Sequence, residues 1–301
     1  MRPCIPLLFL AIAILPQPAS SEPSLASLWP NADGTRWDYT MSVIDIVTPL
    51  NWIGPGQMSF DGTVQTAGGT AQVLVATHPS PDGKPGVAAA DAVLAAVWRT
   101  RPDLRPAIAA RHGDQSATEG VWYPLLLHTG YFMKTATALQ MWQPSWTHPT
   151  WTYATADLTL GAQFTHHLIP EIADNVFLYG TVEAIDATVA TPAATFIDAV
   201  RIGYEIDYGW TEEVDLNTGM PTGRFYRALT KGHVTFVPDT GPVEMHEEFI
   251  PYAEIDCGSE DCPPEWVAAL GETFQWIDMA LTASTVGVRE ATFTQIKGLY
   301  R

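Results

Sequence analysis

Over much of this chain the side chains alternate in character every second residue, and that period most limits what it can fold into. Trp37–Val47 (WDYTMSVIDIV) is rich in β-branched and aromatic types and stops before Pro49. A period of two sends alternate side chains to opposite faces of a strand. QMSFDGTVQT and AQVLVATH flank AGGT, whose paired glycines suit a hairpin. Strands are also read in VWYPLLLH, YFMKTATALQMW, NVFLYGTVEAIDATV, FIDAVRIGYEIDYGW, RFYRALTKGHVTFV and PVEMHEEFIPY, and FQWIDMALTAS reads as a closing strand. Strand after strand over short turns predicts a mainly β chain with an antiparallel sheet. So many strands must curl, close or split. The expected architecture is a curled antiparallel sheet or half-barrel, whose concave face is the default place for a ligand.

The period changes in VAAADAVLAAVWRTRPDLRPAIAARH, where Val93, Ala96 and Val97 stand at helical spacing. Helices are expected near Ala88–Arg99 and Leu104–Arg111, broken by Pro102 and Pro106. Together they make a small helical insertion, about 88–112, covering one end or face of the sheet. PPEWVAAL reads as a short helix opened by proline.

Arg2, the apolar run Ile5–Leu15 and the small residues near Ala19 have the form of a secretory signal. The run is shorter than the roughly 20 residues a membrane span needs. Residues 1–21 are therefore expected to be a signal peptide, or a short retained anchor, and 22–301 a single extracytoplasmic domain, periplasmic or at the cell surface. Cys257 and Cys262 (CGSEDC) then face an oxidising compartment, where a nearby pair reads as a disulfide. Zinc is the competing use of the pair, but no further ligands stand at suitable spacing.

With 15 Lys and Arg against 33 Asp and Glu, the formal charge is −18. That argues against a nucleic-acid partner and against direct electrostatic docking on anionic lipid. It leaves room for a basic or neutral partner.

Local candidates for chemistry each have a plain structural alternative. His246-Glu247-Glu248-Phe249-Ile250 misses a zinc-protease helix because Ile250 stands where the second histidine belongs, and the segment reads as a half-exposed strand edge. His166 and His167 are neighbours that a strand would point apart, though one could join His148 or His128. Asp215, Asn217 and Gly219 start like a calcium loop but equally suit a hairpin. No nucleophile elbow, phosphate loop, dinucleotide fingerprint or haem attachment site is present, so no catalytic, metal or cofactor residues are assigned. Trp142, Trp146, Trp151 and Tyr153 crowd around Pro144 and Pro149. They can be core, a platform for a sugar or flat ligand, or a docking edge for a partner. The expected use is the docking edge, with Trp122 and Tyr123 as neighbours.

Four stretches occur in an order that resembles a group of uncharacterised secreted bacterial proteins and lipoproteins. LWPNADGTRWDY (Leu28–Tyr39) resembles their PLxxGxxWxY entry, and ATPAATF (Ala190–Phe196) their VPAGTF corner. HVTFVPDTGPVEM (His233–Met245) resembles their FxPGVGxV hairpin, and ATFTQIKGLYR their IKxLYR ending. Ala194, Asp239-Thr240 and Phe293-Thr294 depart from those patterns. The resemblance implies a curled β-sheet like that of the periplasmic lipoprotein carriers, and it brings no catalytic residues.

The function expected from all this is non-catalytic: an extrinsic scaffold or accessory subunit, with a protein partner on a membrane or envelope complex. The alternative is a periplasmic carrier holding a lipid or other amphiphile in the concave face of the sheet. A metal-dependent hydrolase ranks third.

Overall fold

The computed structural model describes residues 23–45, 50–77, 89–113, 128–214, 218, 220–255, 265–268 and 273–285. In chain order these form α1 (Leu25–Leu28), β1 (Arg36–Asp45), β2 (Leu50–Thr66), β3 (Gly69–Thr77), α2 (Ala89–Thr100), a 3-10 turn (Pro102–Leu104) and α3 (Arg105–His112). There follow β4 (Gly130–Lys134), β5 (Ala138–Trp142), β6 (Trp151–Thr155), β7 (Gln163–His167) and β8 (Phe177–Ala190). Next come β9 (Thr195–Val214), β10 (Pro221–Val237), β11 (Gly241–Ile255), β12 (Glu265–Ala268) and β13 (Gln275–Thr285).

The protein is mainly β, as the alternation requires. Twelve strands run β6-β5-β4-β3-β2-β1-β13-β11-β10-β9-β8-β7, and β12 pairs with β11 alongside this path. Neighbours are antiparallel throughout, for example Trp37 opposite Met58 on one side and Ser284 on the other. Two meanders, β1–β6 and β7–β11, are joined by β13, which lies between β1 and β11. FQWIDMALTAS is thus a closing strand in the literal sense. The ends of the sheet curl towards each other: His166 on β7 meets the Pro149 carbonyl at 3.1 Å and Thr152 Oγ1 on β6 at 3.4 Å. A nearly closed barrel results, with side chains rather than a backbone ladder across its seam.

The inside of this barrel is the core. β1 alternates so that Trp37, Tyr39, Met41 and Val43 are buried while Arg36 and Thr40 face water. Trp29 sits at the centre, with ring centroids 6.1 Å from Trp37, 4.6 Å from Phe132, 5.1 Å from Tyr153 and 5.7 Å from Phe236. The Leu28–Tyr39 stretch therefore starts the core. Gly34 turns the chain at φ +80°, the left-handed region that glycine adopts without strain. Trp37 Nε1–H then donates to Thr240 O at 2.6 Å and Tyr39 O–H to Pro242 O at 2.9 Å, pinning the β10–β11 hairpin to β1. The outer face carries Arg36, Asp38, Glu205, Asp207, Arg227, Lys231 and Glu248. That pattern, apolar inside and charged outside, is the reverse of a barrel made to sit in lipid. Among the described residues no helix is long and apolar enough to cross a membrane.

The helical insertion is present. Its buried face, Val93, Leu94, Val97, Trp98 and Ile108, joins the barrel core. Arg101, 5% exposed, locks it in place by donating to Tyr208 O at 2.9 Å and Asn175 Oδ1 at 3.0 Å and by a two-pronged contact with Asp103.

One element differs from expectation. The end of PPEWVAAL is a strand: β12 pairs Glu265–Ala268 with Tyr252–Ile255. A helix this short pays the full cost of nucleation. β11 pairs with β13 only from Glu244 to Phe249, which leaves its far end free to accept another strand. The TPAAT corner and the VPDTG hairpin form the β8–β9 and β10–β11 turns, the latter with Asp239 at φ +59°. Cys257, Cys262, the VWYPLLL stretch, the N-terminal signal and the IKGLYR ending lie outside the described residues.

Candidate functional site

The aromatic segment from Trp142 to Tyr153 is buried. Trp142, Trp146, Trp151 and Tyr153 are 8%, 5%, 0% and 4% exposed. Trp151 and Tyr153 point into the barrel and meet edge to face at 5.8 Å. Trp142 lies on the opposite face of the sheet, packed on Ala71 and Met133 and over Gly68, where any side chain would strike its ring. Trp146 is sandwiched between His112 and His148. These positions match the core alternative for the four rings, and they leave little of each ring for a partner. Trp122 and Tyr123 lie outside the described residues.

The histidine candidates are structural too. His166 donates through Nε2 to Pro149 O, which leaves Nδ1 to accept from Thr152. Burial first, and the nearby His148 second, push its pKa down to about 4. His148 Nδ1 donates to the same carbonyl at 2.8 Å, and its Nε2 meets Glu171 at 2.8 Å. His167 turns the other way, donating to Ala173 O at 2.6 Å and stacking on Phe177. The two neighbours thus point apart, as a strand dictates. Among the described residues no group of three or more His, Cys, Asp or Glu is placed to hold a metal. Asp215, Asn217 and Gly219 fall in the β9–β10 connection, outside the described residues.

A different site emerges on the outer face, where β8, β9, β10 and β11 lie side by side. Register places Thr181, Gly203, His233, His246 and Asp278 in one row across the sheet. Tyr179, Glu205, Lys231, Glu248 and Trp276 form the next row. Between them runs a groove of about 500 Å³, lined by Tyr179, Thr181, Glu183, Glu205, Lys231, His233, His246 and Glu248, with backbone at Gly203 and Gly232. That volume falls in the range of small-ligand sites.

Most of the groove's charges are already paired. Lys231 Nζ is 2.9 Å from Glu205 Oε2. His246 Nδ1 meets Asp278 at 2.7 Å and its Nε2 meets Glu248 at 3.0 Å, so both ring nitrogens face carboxylates on separate positions. The Asp278 bond first, with Glu248 adding to it against partial burial, raises the His246 pKa to about 9. His233 tilts against His246 with centroids 5.8 Å apart and has Glu244 at 3.8 Å. Glu244 is held down at about 2 by His233 foremost, then by Thr235, which donates at 3.0 Å, and by Arg201. Glu183 stands apart. It is exposed and has no hydrogen-bond or ion-pair partner among the described residues. Its carboxylate lies across Gly203, where a β-carbon would overlap it.

No motif in the sequence marks this groove, although a weaker signal is present. Glu244, His246 and Glu248, like Lys231 and His233, recur at a period of two, marking one charged face of each strand. Which strands lie side by side was not legible.

No family model matches the chain, and no curated protein matches it. Solved structures similar to it include an exported protein with a YmcC-like fold from Bacteroides fragilis, 10% identical over 86% of this chain and 99% of that one, at TM-score 0.34. Another is a lipoprotein from Parabacteroides distasonis, 9% identical over 86% and 98%, at TM-score 0.31. A third is a LolA superfamily protein from Nitrosomonas europaea, 8% identical over 87% and 89%, at TM-score 0.20. At scores this low the likeness carries no argument about architecture or activity.

Proposed function

We propose that this is a non-catalytic extracytoplasmic protein that works through its outer surface, as an accessory subunit or scaffold on a membrane or envelope complex. The observation that supports it most is how the barrel interior is used. Trp29, Trp37, Phe60, Phe132, Trp151, Tyr153 and Phe236 fill it with the protein's own rings, all buried. A carrier needs an apolar hollow of several hundred Å³. The outer face, by contrast, offers a polar groove and a large excess of acidic charge, which favours a basic or neutral partner. The basic and apolar N-terminal residues supply the reason for an extracytoplasmic address.

Purification of the native protein from the source envelope in mild detergent tests this. A stable co-purifying protein is the expected result, and recovery solely as a free monomer would overturn it. The carrier remains the second reading because the barrel interior is lined mainly by apolar side chains. Lipid extraction of the same preparation decides that point, since a stoichiometric bound lipid would move the function from the surface to the interior.

A further inference from the structure

We infer that the groove across β8–β11 is the recognition site for one basic side chain, lysine or arginine, presented by the protein partner. The inference rests on the surface-acting reading above and gives that reading an address.

Three features of the groove point to a single organic cation. The first is charge. Its lining holds the carboxylates of Glu183, Glu205 and Glu248 against Lys231 and His246. Glu205 is answered by Lys231, and Glu248 shares His246 with Asp278, so among the described residues Glu183 is the carboxylate of the lining with no partner of its own. An unanswered carboxylate beside answered ones selects one positive group and repels anions.

The second is shape. Gly203 sits within β9 opposite Thr181 and His233, away from any turn and next to the slip at which Glu183 is the extra residue of β8. Its missing side chain serves space, because a β-carbon there would occupy the place of the Glu183 carboxylate. Glycine in a strand interior weakens the strand and often marks close approach of another group. At Gly203 it lets the Glu183 side chain lie across the neighbouring strand, along the floor of the groove.

The third is the rim. Tyr179 leaves 42% of its surface exposed beside Glu183 and Glu205, and it occupies the same face of β8 as Glu183. An exposed aromatic face next to a carboxylate suits a cation carried on an apolar stem: the ring covers the methylenes or the charge while the carboxylate takes the donor hydrogens. A single paired charge in an open site binds weakly. The groove is therefore one anchor of a larger interface.

NMR titration of the mature chain tests this with acetyl-Gly-Lys-Gly-amide, its uncharged norleucine counterpart and free butylamine. The lysine peptide is expected to shift the amide signals of Thr181, Gly203 and Lys231. Its affinity should drop about tenfold or more in Glu183→Gln, the size of loss expected for a charged hydrogen bond. Gly203→Ala keeps every charge but displaces the carboxylate, and should weaken binding comparably. Circular dichroism confirms that both variants are folded, and Tyr179→Ala provides a third change at an exposed position. Equal binding of the norleucine peptide, unchanged affinity in the variants, or no shifts at millimolar peptide would overturn the site. Butylamine binding as tight as the lysine peptide would overturn the partner part, making the ligand a free amine. The two readings fail separately. A partner that co-purifies undiminished with Glu183→Gln removes the groove from the interface and leaves the accessory role. Peptide binding by a protein found only as a monomer keeps the groove and removes that role.

Discussion

His246 and His166 show how the same residue type is put to opposite use by its surroundings. His246 is held charged between Asp278 and Glu248, with its pKa raised to about 9, whereas buried His166 is held neutral with its pKa lowered to about 4. A raised histidine contributes stability that is full below its unfolded pKa, about 6.5, and is lost as pH rises through the folded value. A lowered one contributes nothing adverse above about 6.5 and costs stability as pH falls from there towards its folded value. Stability should therefore peak near pH 6.5 and decline on both sides. Urea denaturation from pH 4 to 10 checks this. In His246→Gln the alkaline decline between about 6.5 and 9 should shrink, by about 1 kcal/mol once solvent screening of the partly exposed cluster is counted. The sequence placed His246 on a strand and no further, because Asp278 is brought to it only by the β11–β13 pairing.

At the scale of elements, the helical insertion was legible and its anchor was not. α2 and α3 follow from alanine-rich helical spacing and from Pro102 and Pro106 between them. No motif in the sequence sets Arg101 apart from the other arginines of this segment. β9 makes room for it: the β9–β10 register slips between Arg227 and Leu229, and Gly209 adopts φ +74° at that slip. The Tyr208 carbonyl then turns to accept from Arg101. Asp103 completes the joint by accepting from Thr211 Oγ1–H at 2.9 Å. Arg101→Ala should destabilise the protein by about 2–3 kcal/mol, because it strands a buried carbonyl and part of an ion pair. Arg101→Lys should recover little of this, since one ammonium cannot reach Asp103, Asn175 and Tyr208 together. Chemical denaturation measures both. β12 teaches the converse lesson: a proline-led segment expected to be helical becomes a strand because β11 has a free edge waiting for it.

For the molecule as a whole, the seam between β6 and β7 is the place where the barrel is least joined. Side chains at His166 and Thr152 cross it, whereas β13 is paired by backbone on both sides. Hydrogen exchange should accordingly show the seam-facing amides of β6 and β7 exchanging well before those of β1, β13 and β11. Equal protection across the seam would mean the barrel is closed by a backbone ladder there. What the sequence by itself determined was the strand class, the antiparallel rhythm and the helical insertion, because these follow from period, turn chemistry and propensity within short windows. What only the tertiary structure decided was the inward fate of Trp146, Trp151 and Tyr153, the position of β13 between the two meanders, and the groove at Gly203. Each of these depends on which strands lie side by side and in which register, and register joins residues such as Thr181, His233 and Asp278 that no local window contains.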